Sequence, residues 1–165
     1  MQLPIAVLVS GSGSNLQAII DAAAADPDYG AAVVTVISDR PGVGGLARAA
    51  EAGIPTRVIP WRESADRASF TSAVCDAAEE AGATALVLAG FMRILTSEAV
   101  DRFPNRILNI HPALIPSFAG AHGVRDALAH GVKVTGVTVH FVDEQVDHGP
   151  IIAQRAVKVL AGDTE

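Results

Sequence analysis

The sequence predicts an α/β fold: a doubly wound, mostly parallel sheet with an antiparallel C-terminal hairpin at its edge. Three observations lead there. Apolar runs such as Pro4-Ile5-Ala6-Val7-Leu8-Val9-Ser10 are continuous rather than alternating, which is how a strand covered on both faces reads. Stretches of helical periodicity separate these runs with short connections, the order that builds parallel strands. After Pro112 the character changes to a long Pro/Gly loop and then two late runs joined by a turn, as in a hairpin.

Residues 4–10 form the first, central strand. Gly11 to Asn15 break it, and Leu16, Ile19, Ile20 and Ala23 recur at helical spacing until Asp26-Pro27. Residues 32–38 make a second buried strand. Pro41-Gly42-Val43-Gly44-Gly45 then turns the chain, a short alanine-rich helix ends at Gly53, and residues 56–60 are a third strand. Phe70, Ala73, Val74, Ala77, Ala78 and Ala81 form one apolar stripe of a stronger helix, with Gly82 as its C-terminal cap, and residues 84–89 are the fourth strand. A strongly apolar strand from Arg106 to Ile110 runs into Asn109-Ile110-His111-Pro112. A short helix near residues 123–130 precedes the late runs at 134–142 and 151–159. In a Rossmann-like sheet of this kind the ligand crevice lies at the carboxyl ends of the strands, where Ser10, Ser38, Gly90 and His111 fall.

Length and composition narrow the classes. The 165 residues read as a single domain, 1–165, and the small side chains that dominate the apolar half suit tight helix-on-sheet packing. No run approaches the roughly 18 to 20 apolar residues of a membrane helix. Met1-Gln2-Leu3-Pro4 carries no basic region before an apolar segment, so no membrane association is expected and the protein is placed in the cytoplasm. A net charge of −6, with 12 scattered basic residues, argues against a nucleic-acid partner. The single cysteine, Cys75, excludes an internal disulfide and reads as an inert buried thiol. His122, His130, His140 and His148 match no zinc spacing, so no metal is expected.

Four segments carry candidate chemistry. Asn109 and His111 are two residues apart, so strand periodicity points both to one face, with Ile107 and Ile110 expected to anchor the backbone beneath them. An amide that can donate to a developing oxyanion, beside an imidazole that can pass a proton near neutral pH, suits acyl or formyl transfer. The same residues also read as a strand end with two satisfied polar groups. Gly11-Ser12-Gly13-Ser14-Asn15 lets backbone N–H groups approach an anion at a helix N-terminus. Leu16 stands where a dinucleotide fingerprint has its third glycine, so one phosphate fits better than a pyrophosphate, although Asp39 could mimic the ribose-binding acid. The alternative is a tight turn whose Ser14 or Asn15 caps the helix. Gly90-Phe91-Met92-Arg93-Ile94-Leu95 follows the fourth strand as either a pocket wall for a flat ring or plain core packing, with Thr96 or Ser97 capping a helix that reaches Phe103. Asp143 and Glu144 read as solvated turn acids. Asp147 matters if its turn folds back toward His111, where a carboxylate would orient the ring.

Taken together, Ser-Gly-Ser-Gly-Ser-Asn-Leu at 10–16, Ala-Gly-Phe-Met-Arg-Ile-Leu at 89–95, Asn-Ile-His-Pro-Ala-Leu-Ile-Pro at 109–116 and Asp-His-Gly-Pro-Ile-Ile at 147–152 resemble the folate-dependent formyltransferases. Within that family they are most similar to the phosphoribosylglycinamide formyltransferases of purine biosynthesis. The four motifs occur in the family's order over almost the whole chain. The resemblance implies the formyltransferase fold and transfer of a formyl group from 10-formyltetrahydrofolate to the primary amine of glycinamide ribonucleotide. It also implies roles: Asn109, His111 and Asp147 as the catalytic trio, and Gly13, Ser14 and Asn15 on the ribonucleotide phosphate. Arg67, Met92, Arg93, Ile94, Leu95 and Asn109 would line the folate site. Partners would then be these two small molecules.

Two departures from the family pattern stand out. Ala119 replaces a common proline in the loop Phe118-Ala119-Gly120-Ala121-His122, which bears on loop stiffness. The chain stops at Gly162-Asp163-Thr164-Glu165, where family members usually continue through a further helical segment. Without that cover, apolar surface is expected to be exposed and could favour self-association, such as a homodimer. Rival readings are another folate-dependent formyltransferase, a formyltetrahydrofolate hydrolase, or a nucleotide-binding module that kept the fold without the chemistry.

Overall fold

β1 (Leu3–Val9) opens the computed structural model, which describes residues 2–165. Its last five residues are buried, as a run of Ile, Ala, Val and Leu requires when both faces are covered. β2 (Ala31–Ser38) pairs with it on one side and β4 (Ala85–Leu88) on the other, both parallel. β3 (Thr56–Val58) extends β2, again parallel, giving the order β3-β2-β1-β4. The crossovers and flanks are α1 (Ser14–Ala25), α2 (Gly44–Glu51), α3 (Arg67–Glu80) and α4 (Ser97–Arg102). Ile5, Val7, Val9, Leu16, Val36, Ala49, Ala85 and Ala89 make one buried cluster, in which alanines let the helices approach the sheet closely.

Packing divides the chain into two compact units, the second being Leu108–Glu165. In the second, β5 (Ile107–His111), β6 (Val134–Phe141) and β7 (Ile151–Lys158) run antiparallel in sequence order, with α5 (Gly123–His130) before β6. Gly136, Thr138 and His140 alternate into the buried face of β6. β7 is exposed along its whole length.

The expected classes of element are all present, with ends shifted by one or two residues. Several local expectations need correction. In α3 the buried face includes Thr71 and Cys75, whereas Ala73 and Ala81 are only half-buried, because the packed arc is centred nearer to Phe70 and Val74. Ala81 occupies the C-cap of α3, and Gly82 follows it at φ +78. Residues 59–63 leave the third strand at Val58 and form a short 3-10 turn, Trp61–Glu63, after Pro60. Thr96 precedes α4, but its hydroxyl makes no cap bond, and the helix stops at Arg102. No helix among the described residues is long and apolar enough to cross a membrane. Burial pushes the Cys75 thiol up to about 11, consistent with an inert core cysteine.

Candidate active site

The glycine loop is built by close backbone approach. Gly13 precedes α1 at φ +75, and a Cβ on it would overlap the Gly45 Cα. Gly45 N–H donates to the Gly11 carbonyl at 3.0 Å. Arg48, one turn into α2, donates through Nε to the Ser12 carbonyl at 2.9 Å and reaches Gln17 at 3.1 Å. Neither Ser14 nor Asn15 caps α1, so the capping alternative fails and the first-turn N–H groups have no side-chain partner. Ser10 through Asn15, with Ala89, Gly90 and Met92, line a cavity of about 220 Å³. Gly13, Ser14 and Asn15 are therefore together as expected from the motif. Arg48 carries no motif or periodic signal that could have singled it out.

The segment from Gly90 to Leu95 has no regular secondary structure, and its neighbours Met92 and Arg93 border different cavities. Met92 N–H donates to Ser10 Oγ at 2.8 Å, and the Met92 side chain borders the glycine-loop cavity, 58% exposed. Ile94 is also largely exposed, and Leu95 is half-buried. Arg93 turns instead into a second cavity of about 380 Å³, beside Asp39, Arg40, Pro60 and Trp61. Arg67 sits exposed on the first turn of α3 and lines neither cavity. Large apolar side chains standing in solvent beside polar backbone fit a flat ring ligand. Asp39 does not stand free as a ribose-binding acid: Arg93 Nε is 2.7 Å from its Oδ2 and Arg40 a further 3.3 Å contact.

In the second unit, β5 and β6 place polar groups opposite one another. Their register sets Asn109 against His140 and His111 against Thr138. Ile107 has the same parity as Asn109 and His111, so it shares their face rather than lying beneath them; Leu108 and Ile110 point the other way. Asp147, at φ +51 in the turn before β7, folds back so that its Oδ2 lies 3.4 Å from His111 Nδ1. Both side chains are buried. The Gly120 N–H donates to the same carboxylate oxygen at 2.7 Å, and Asn109 Nδ2 lies 3.4 Å from Oδ1. The expected trio of Asn109, His111 and Asp147 is thus assembled.

Hydrogen-bond chemistry assigns the ring protons. His111 Nε2 is 2.8 Å from the Phe118 carbonyl, which can only accept, so Nε2 carries hydrogen and Nδ1 faces Asp147. His140 Nδ1 is 2.9 Å from the Phe141 carbonyl, so that nitrogen donates and Nε2 accepts from Asn109 Nδ2 at 3.1 Å. His140 is 1% exposed and also lies 3.7 Å from Asp147. It is the residue that sequence reasoning passed over. Its alternation with Val139 and Phe141 is visible in the sequence, but its register against Asn109 is not. His148 instead pairs with Asp143 at 2.8 Å, a bond that holds the Asp143 carboxyl below the ordinary carboxylate value and makes it more than a solvated turn acid.

A family model described as formyl transferase matches residues 3–165. The chain belongs to the formyl transferase family. Among its relatives, the phosphoribosylglycinamide formyltransferase of Mycobacterium tuberculosis is 47% identical over 161 residues, 98% of this chain and 74% of that protein. The trifunctional purine biosynthetic protein adenosine-3 of Gallus gallus is 48% identical over 99% of this chain, which spans only 16% of that protein's length. The crystal structure of glycinamide ribonucleotide transformylase 1 from Symbiobacterium toebii superposes with a TM-score of 0.94 at 47% identity, covering 99% of this chain and 76% of that one. The fold class expected from sequence, a mostly parallel α/β sheet with an antiparallel C-terminal hairpin, is therefore the family fold.

Proposed function

We propose that this protein transfers a formyl group from 10-formyltetrahydrofolate to the primary amine of glycinamide ribonucleotide, a step of purine biosynthesis, with a cytoplasmic location following from that role. The observation that carries the reading is the buried Asn109-His111-Asp147 arrangement in a chain of this family. The amine nitrogen attacks the formyl carbon, a C–N bond forms, and the bond from that carbon to the folate nitrogen breaks. The proton lost by the amine balances the one gained by the departing nitrogen, so no covalent enzyme intermediate is needed.

Asp147 orients the His111 ring through Nδ1, and His111 is the group that moves the proton. Its Nε2–H is donated to the Phe118 carbonyl, so delivery to substrate requires the turn at 117–120 to release that bond. Asn109 keeps one N–H on His140; its second contact, 3.4 Å from Asp147, is long for a hydrogen bond, and this is the N–H offered to the developing oxyanion. Gly13, Ser14 and Asn15 take the phosphate. Met92, Ile94 and Leu95 supply the apolar folate wall, with the polar backbone of the same segment between their side chains.

The test is incubation of the purified protein with both substrates. Formylated glycinamide ribonucleotide should accumulate, and His111→Ala should reduce its rate by a hundredfold or more, roughly the loss seen when a transition-state donor is removed. Formate release without formylated product would point to hydrolysis, and binding without turnover to a module without chemistry.

A further inference from the structure

We propose that Asp39 is a positioning residue that sets the folate-facing segment by clamping Arg93, which lies between Met92 and Ile94. This rests on the assignment of Met92 to Leu95 to folate. The Asp39 side chain is fully buried at the carboxyl end of β2, where an unpaired carboxylate would be costly. It holds Arg93 directly, Nε to Oδ2 at 2.7 Å. The next residue back is held separately, Met92 N–H donating to Ser10 Oγ at 2.8 Å. The Asp39 carboxylate thereby ties the end of β2 to the strap that follows β4. Burial pushes its carboxyl up, but Ser10, Arg93 and Arg40 around it outweigh that and hold it below the ordinary value, so it is a standing anion at neutral pH.

The clamp also has a reporter. Trp61, the sole tryptophan, is anchored by its own N–H to the Asp39 backbone carbonyl at 3.0 Å, and the Arg93 guanidinium lies 5.3 Å from its ring centroid. Substituting the Asp39 side chain leaves that backbone anchor in place while freeing Arg93. Trp61 emission therefore reads the position of Arg93 and not merely whether the chain is folded.

The experiment titrates tetrahydrofolate into the full chain and into Asp39→Asn, Asp39→Ala, Arg93→Ala and the Asp39→Ala/Arg93→Ala double variant, with thermal melts for each. Asp39→Ala should weaken tetrahydrofolate about tenfold, the scale of one lost charge-assisted hydrogen bond, and shift Trp61 emission before ligand is added. Asp39→Asn, which keeps an acceptor for Arg93, should fall between wild type and alanine, and it decides the matter if the alanine variant does not fold. The double variant should bind no more weakly than Arg93→Ala alone, because Asp39 acts through Arg93. Folded Asp39 variants that bind as wild type, or losses that add in the double variant, would overturn the clamp. Wild-type protein that takes up no tetrahydrofolate would instead remove the folate assignment on which the clamp rests.

Discussion

Asn109 Nδ2 lies 3.1 Å from His140 Nε2, across a directly opposed pair of β5 and β6 residues. Because His140 Nδ1 is committed to the Phe141 carbonyl, its Nε2 accepts, and the Asn109 amide is oriented with its NH2 toward the carboxylate of Asp147. The buried imidazole therefore fixes which way the amide faces.

Removing that acceptor should disorder the amide before it disturbs the fold. On the mechanism proposed for Asn109, His140→Ala is expected to lower kcat by about tenfold to a hundredfold, with a smaller change in KM. It should also cost about 1–3 kcal/mol of stability for the orphaned amide and the space left behind. Steady-state kinetics beside a denaturant melt separates the two effects, and an unchanged kcat in a folded variant would remove Asn109 orientation as the reason His140 is there.

The glycine loop offers a sharper test of backbone geometry. Gly13→Ala places a Cβ into the Gly45 backbone at a left-handed φ. Strain and overlap together should cost on the order of 2–4 kcal/mol. Loss of binding to inorganic phosphate, measured by calorimetry at a temperature where the variant stays folded, is expected; retained affinity would detach the loop from phosphate recognition.

Arg102 draws three carboxylates to one guanidinium: Glu79 at 2.6 Å, Asp76 at 2.8 Å and Glu98 at 3.2 Å. The bonds from Glu79 and Asp76 raise the Arg102 pKa, so the pairing lasts across all accessible alkaline pH. Arg102→Ala should destabilise the α3–α4 contact by about 1 kcal/mol, at the upper end for partly exposed pairs because the three form a network. Repeating the melt at about 1 M salt should shrink the difference between wild type and variant.

Cys75 makes a prediction about alkaline pH. Burial raises its thiol from 9.0 to about 11 in the folded state, so between those values the folded chain binds more proton than the unfolded one. The contribution is fully present below about pH 9 and is lost as pH rises toward 11. Stability of Cys75→Ala, whatever its absolute level, should fall less steeply over that window. Native protein at pH 8 should also resist alkylation that goes to completion in denaturant.

Much of this was legible along the chain, and the reason is period. Residues 4–10 and 32–38 read as buried strands because both faces are apolar, and Phe70, Val74 and Ala77 read as a helix face because burial recurs at 3.6 residues. Asn109 and His111 could be placed on one face from their spacing alone. Element ends are less legible: Ile59 and Pro60 read as part of the third strand, yet the strand ends at Val58 and the chain turns after Pro60. Arg93 reads with Met92 as one wall, but Asp39, 54 positions away in the chain, draws the guanidinium into the other cavity. Arg48 and His140 were invisible as site residues because each acts on a partner 36 or 31 positions distant.

The α/β class, the order of strands and helices, the four motif segments and the shared face of Asn109 and His111 can all be read along the chain. These follow from local periodicity and from chemistry carried by single side chains. The fold was needed to bring Asp147 back to His111, to set His140 against Asn109 and to bind Asp39 to Arg93 instead of leaving it free. Each of those depends on strand register or on a turn's path. A register shift of one residue would have turned the same side chains to the other face, and no local pattern records which register the chain adopts.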